Sequence, residues 1–356
     1  MQQQVMLMGH GFDVTAQRSQ LRASMMSMAT EPDLSVSTVA SNHCKGIRFR
    51  ARVLYDGEDF SGMQIQPHGH SVANVLEIAL RQRMGCSSIR VCAASRTDTG
   101  VHARGQAIHF DLPSPAHANA MAEARRPNQH RQLPAPEELE RSLNALLPPS
   151  VRVAELELAP EVDDIGRPWH ARLSAAGKLY SYYLCVDRLL DPLARRQRLH
   201  VPRPLNYEAM RRALPYLNGL VDCAALANRR AGESSPLTSP PSMTMRVIRA
   251  IDVVEEAHLS DGYVRIDFHL KSALYKMVRN LVGLLLSVGM GQIAPDEIPG
   301  LLAARDRSRL PPPAPAHGLT LECVYYRAGW NGKYTNPLHT ETLCESPKGG
   351  DDECRL

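Results

Sequence analysis

The sequence predicts an α+β fold: a mixed, mainly antiparallel sheet with helices, built as two similar α+β halves. Three observations carry this. Strand-period and helix-period segments interleave along the chain. Hairpin-like strand pairs recur in both halves, which a doubly wound parallel sheet would not contain. Neither GxGxxG nor GxxxxGK[ST] is present, so the dinucleotide and triphosphate cradles of the common parallel folds are missing. The 356 residues are 44% hydrophobic, enough for a sizeable core. Aromatics make up only 5%, so that core must be filled by Leu, Val, Ile, Ala and Met.

Residues 1–45 stand apart. They are rich in Met, Ser and Gln, with three acids (Asp13, Glu31, Asp33) and three bases (Arg18, Arg22, Lys45). They are expected to be a disordered extension or an organelle transit peptide, placing the protein in the cytoplasm or in a mitochondrion or chloroplast. The N-terminal half of the catalytic domain is expected over 46–175. Ile47, Phe49, Ala51 and Val53 alternate with Arg48, Arg50 and Arg52, which is a half-exposed strand. The turn YDGEDFSG follows. Ser71 then precedes VANVLEIALRQRMG, with Val72, Val75, Leu76, Ala79 and Leu80 on one face: a capped helix. IRVCAA and QAIHFDL are strands. A Pro-, Ala- and Arg-rich insertion (PSPAHANAMAEARRPNQHRQLPAP) is expected as a mobile loop. EELERSLNALL is a helix and VRVAELEL a strand.

The C-terminal half is expected over 176–328. KLYSYYLCV is a strand, and NYEAMRRALPYL a helix stopped by Asn218-Gly219. AGESSPLTSPPS is a second loop. VIRAIDVV and YVRIDFHL form a hairpin across Ser260-Asp261-Gly262. ALYKMVRNLVGLLLSVG is a helix with Leu274, Met277, Val278, Leu281, Val282 and Leu285 on one face. PDEIPGLLAAR is a short helix, and LTLECVYY is the closing strand. Residues 329–356 are polar and expected to be a disordered tail.

Composition narrows the chemistry. Net charge is +4, compatible with a polyanionic partner without requiring one. The eight cysteines (44, 86, 92, 185, 223, 323, 344, 354) form no CxxC pair and no zinc-spaced Cys/His group, which points to a reducing compartment and no structural metal. No apolar run reaches membrane-spanning length.

Several residues stand out as reactive or binding groups. Asp98 closes a strand-like run two residues before Gly100, a position with a rigid base and an exposed tip. Arg96, two positions earlier, projects to the same side of an extended backbone, where a guanidinium favours the ionised carboxylate. The plainer alternative is a turn in which Asp98 caps backbone N–H groups. Tyr180 and Tyr182 share a strand face, as a stacking platform for a base or as sheet packing. Arg279, on an apolar helix, is a partner for a buried acid or phosphate, or a snorkelling edge residue. Arg195, Arg196 and Arg198, and Arg125, Arg126 and Arg131 in the insertion, suit phosphate contacts or a solvated surface.

In order along residues 46–328, YDGEDFSGMQIQP, ASRTDTGVHARGQAIHF, LNALLPPSVRV with WHARLSAAGKLYSYYL, LYKMVRNLVGLLLSVGMG and PPPAPAHGLTLECVYY resemble the segments of the TruA-type tRNA pseudouridine synthases. The resemblance implies the pseudouridine synthase fold and an isomerase that converts uridine to pseudouridine in tRNA, in the anticodon stem-loop, with no cofactor and no metal. It implies that Asp98 is the catalytic carboxylate, adding to the base or taking a proton from the sugar. Arg96 would orient and charge-balance it, Tyr180 would stack on the uracil and help remove the C5 proton, and Arg279 would pair with Asp98 from the far helix. Tyr180, Arg195, Arg196 and Arg198 are the expected substrate-binding residues, tRNA the partner and a homodimer the assembly. The alternative is a catalytically idle RNA-binding relative. Departures from the family pattern are Met63, VDCAALAN after Gly219, Trp169 and Leu173, all expected to touch packing rather than the catalytic groups.

Overall fold

The computed structural model describes residues 46–327, except 67–68, 87, 114–132, 230–231, 233–234 and 261. The N-terminal extension, most of the first insertion with Arg125, Arg126 and Arg131, and the C-terminal tail lie outside the described residues.

Strand β1 (Ile47–Tyr55) buries Phe49, Ala51, Val53 and Tyr55, as its alternation requires. Its arginines face the other way and pair across the sheet, Arg48 Nε with Asp111 at 2.7 Å and Arg50 Nε with Glu157 at 2.7 Å. Helix α1 (Val72–Met84) starts where Ser71 Oγ accepts the Asn74 N–H and ends at Gly85, whose φ of +62° is the usual left-handed stop. Strand β2 is only Cys92–Ala93, shorter than IRVCAA. The Val91 N–H is donated instead to Glu77 Oε1 of α1 at 3.1 Å, which removes it from the ladder. Strand β3 (His102–Leu112) begins four residues earlier than the alternation indicated. Helix α2 (Pro136–Leu146), with Pro136 in its first turn, and strand β4 (Val151–Leu158) complete this half.

Strand β5 (Gly177–Cys185) opens the second half, followed by β6 (Leu199–His200), helix α3 (Tyr207–Ala213) and strand β7 (Gly219–Asp222). Helix α3 tightens into a 3-10 turn over Leu214–Tyr216, around Pro215. A single turn, α4 (Pro241–Thr244), leads to the antiparallel pair β8 (Met245–Glu255) and β9 (Tyr263–Leu270). Helix α5 (Met277–Gly289) is almost wholly buried, α6 (Ile298–Ala303) is short, and β10 (Leu319–Tyr325) closes the fold. Helix α5 does not include residues 273–276 as its periodicity suggested. Lys276 has φ +59°, a left-handed conformation no α-helix propagates, and the Tyr275 carbonyl accepts the Asn228 N–H at 3.0 Å. Among the described residues no helix is long and apolar enough to cross a membrane.

All ten strands join one sheet in the order β4-β1-β3-β10-β5-β9-β8-β7, with β2 on β3 and β6 on β5. The pairings are antiparallel except β3–β10 and β5–β6. The last strand thus lies beside a strand of the first half, and the two halves meet along the β3–β10 seam through Thr320↔His102 and Leu321↔Ala103. Gly105 permits that approach, since a Cβ there would lie 2.1 Å from the Glu322 carbonyl oxygen.

Candidate active site

The loop from Ala94 to Val101 leaves β2 and enters β3 at this seam. Its geometry is fixed from several sides. Asp98 through Val101 form a tight turn closed by Val101 N–H to the Asp98 carbonyl at 3.1 Å, with Gly100 at φ +77°, where a side chain would be strained. Thr97 Oγ1 and Tyr55 Oη share a hydrogen bond of 2.7 Å, and Met63 N–H reaches the Thr97 carbonyl. Gln106 bonds the Ser95 backbone twice, receiving its N–H and donating to its carbonyl. Gly57 packs so closely behind that a Cβ there would lie 2.0 Å from the Val101 carbonyl oxygen. His102 clamps three segments: its Nδ1 accepts the Gly57 N–H, and its Nε2 contacts the Arg196 and His317 carbonyls.

Onto this braced loop the second half brings two groups. Arg279, on α5, places a terminal guanidinium nitrogen 3.5 Å from Asp98 Oδ2. Its Nε donates to the Ala314 carbonyl at 2.7 Å while the Ala314 N–H donates to the Arg279 carbonyl, so the guanidinium is held before any ligand arrives. Tyr180, on β5, is buried and shares a 2.6 Å hydrogen bond with Ser95 Oγ. Burial, outweighing the Ser95 hydrogen bond and reinforced by the Asp98 charge, pushes its phenol up to about 12. It is therefore a neutral ring at physiological pH.

These side chains line one cavity of about 640 Å³. Among the described residues lining it, Asp98 is the sole acid, against seven cations: Arg96, Arg172, Lys178, Arg246, Lys271, Lys276 and Arg279. Arg96 is exposed at this cavity, while Arg279 supplies a counter-charge to Asp98. The other three arginines lie elsewhere. Arg195 is exposed and bonds the Pro192 carbonyl. Arg196 is clasped by Glu58 at 2.7 Å and Asp56 at 3.2 Å. Arg198 is buried, 2.8 Å from Glu256 and stacked over Tyr263. The structure brings Asp98, Arg96, Tyr180 and Arg279 together and keeps these three outside the cavity.

Comparison with known proteins identifies the family. The family model described as tRNA pseudouridine synthase covers residues 51–162 and 217–327. The chain is 34% identical over 280 residues to the tRNA pseudouridine synthase A of Chromobacterium violaceum, covering 79% of this chain and 93% of that one. It is 35% identical to that of Latilactobacillus sakei (79% and 99%) and 36% identical to that of Chlamydia muridarum (77% and 90%). The chain belongs to the tRNA pseudouridine synthase family. Members of this family are isomerases.

Within that family frame, some features were not readable from spacing. Leu173 is exposed and lines the cavity, so this departure from the family pattern touches the site and not packing alone. Met63 and Trp169 are buried, as expected. The fold also gathers Cys92, His109 and His170, with ligand-type atoms within 4.8 Å of one another. The Ala171 N–H donates to His109 Nδ1, and the Arg172 and Leu173 N–H groups to His170 Nδ1. Both neutral rings then carry their proton on Nε2, which leaves no lone pair there for a metal. Burial pushes His109 down to about 4 and the Cys92 thiol up, so this is a neutral packed cluster.

Proposed function

We propose that Asp98 is the carboxylate that reacts with a uridine of tRNA, with Arg279 as its fixed counter-charge and Tyr180 as the ring on which the uracil stacks. The observation that carries this is their convergence at the seam: the sole described acid of a cationic cavity, 3.5 Å from a pre-bonded arginine and on the same braced loop as the Ser95 that holds Tyr180. The reaction is an isomerisation. The C1′–N1 bond breaks, the base turns while held, a C1′–C5 bond forms, C5 gives up its proton and N1 takes one up, so no net atom or electron is supplied from outside. The ion pair sets an opposite charge beside the reacting carboxylate, and a base reaches such a site only by leaving its stack. Arg96, at the mouth, and the surface-facing Arg195 and Arg196 suit phosphates of the surrounding RNA, whereas buried Arg198 serves the fold. An idle RNA-binding relative would have no use for a braced carboxylate paired in this way.

The test is tritium release from tRNA labelled at uracil C5. Wild type should release tritium, while Asp98→Asn should release none and still bind tRNA. Turnover by Asp98→Asn would remove Asp98 from this role. The finer features belong to the same proposal: the anticodon stem-loop as target, a homodimer as the working unit and, from the bacterial origin of the relatives, the cytoplasm as compartment. Carbodiimide mapping of the product and sedimentation velocity check the first two.

A further inference from the structure

Lys178 is a cavity cation with no task so far. It precedes Tyr180 by two positions on β5, so it projects to the same face about 7 Å along the strand. It is 8% exposed and lines the cavity. Among the described residues its ammonium has neither an ion pair nor a hydrogen bond, and the charge felt nearby is Arg172, of the same sign. Burial first, then Arg172, lowers it to about 8, so it remains mostly protonated at neutral pH. Asp98 is already matched by Arg279. A buried, protonated lysine without a counter-ion is costly, and lysines in folded interiors are almost always paired.

We propose that Lys178 is a phosphate-binding residue, whose ammonium takes a non-bridging phosphate oxygen of the strand whose base stacks on Tyr180. This rests on the reading of the cavity as a uridine site. A phosphate fits better than the base. Uracil enters neutral and becomes an anion only after its glycosidic bond breaks, whereas the unmatched charge exists beforehand. The cavity also holds Arg172, whose charge Lys178 feels, together with Arg246 and Lys271, which a neutral base would leave unbalanced. A lysine ammonium is a compact point charge of the kind that holds phosphate.

The experiment measures tRNA affinity against salt, and turnover at saturating tRNA, for wild type, Lys178→Met and Lys178→Arg. Lys178→Met should weaken binding about tenfold, with the log–log salt slope reduced by about 0.7–0.9, the value for one lost phosphate contact. Saturated turnover should stay within about twofold, and Lys178→Arg should restore the slope. An unchanged slope with falling turnover would place the amine on the base instead and overturn the proposal; so would no change at all. A second measurement does not depend on the variant folding: tRNA carrying single methylphosphonates should show one position that weakens binding to wild type, and Lys178→Met should be insensitive there. No such position in wild type would also end the proposal. Absence of tritium release by wild type would instead end the uridine-site reading, so the two failures are distinct.

Discussion

His109 shows how a single residue's surroundings become a measurable property. It sits in β3 with its Nδ1 on the Ala171 N–H, and burial lowers its pKa from 6.5 to about 4. The unfolded chain therefore takes up a proton at this ring below about pH 6.5, while the folded chain refuses it until about pH 4. Stability from this group is complete above pH 6.5 and is lost as the pH falls toward 4. At about 1.4 kcal/mol per pH unit, the loss by pH 5 is on the order of 2 kcal/mol. His170, His269 and His317 are lowered too, chiefly by burial, and add to the same trend. Urea unfolding at pH 7 and pH 5 should show wild type losing more stability than His109→Gln, and equal losses would refute the assignment. The sequence revealed His109 as an alternating strand residue but not its neighbours, because Cys92 and His170 reach it through tertiary contacts. Asp98, by contrast, stood out as a residue, and the role proposed for it came only with the ordered segments elsewhere.

Elements set by local chemistry were readable, and elements set by tertiary contacts were not. Helix α1 follows from Ser71, the apolar stripe and Gly85, all local. The start of α5 does not, because Leu274 fits the stripe while the backbone of residues 275–276 is held out of the helix by Asn228. Strand β2 was overextended because Glu77, on another element, takes the Val91 N–H. Two substitutions separate a cap from a brace. Ser71→Ala removes one N-cap bond and should cost about 1 kcal/mol of stability, with turnover per folded molecule unchanged. Gly57→Ala places a methyl against the Val101 carbonyl, and the contact is backbone to backbone, so the Asp98 loop must shift. Its turnover should fall at least tenfold even where the protein remains folded, as about 1 Å of misplacement at reacting groups is enough for such a loss. Thermal unfolding and tritium release on both variants decide this; normal turnover by Gly57→Ala would show that the loop is not braced from this side.

At the scale of the whole molecule, the site exists only because β10 returns to lie parallel to β3, putting a loop of the first half against β5 and α5 of the second. Periodicity gave most of the strands, though not the short β6 and β7, and could not say which strands adjoin, since the pairing of β3 with β10 spans more than 200 residues. The ordered family segments supplied what periodicity lacked. They also delimit the unit that must do the work: the relatives align over 278–280 residues, 90–99% of their own lengths, and every proposed catalytic group lies between residues 96 and 279. The core is continuous across the seam, from Phe49 and Val53 to Leu321 and Leu281. Neither half could therefore be separated without exposing apolar surface, whereas all ten described strands lie within residues 46–327. A chain of residues 46–327 should accordingly unfold in one cooperative transition and release tritium from labelled tRNA at a rate within about threefold of the full chain. Chains of 46–175 and 176–327 should be insoluble or unfolded apart. Insolubility or loss of turnover in the 46–327 chain would show that residues beyond the sheet take part in the fold or in RNA binding.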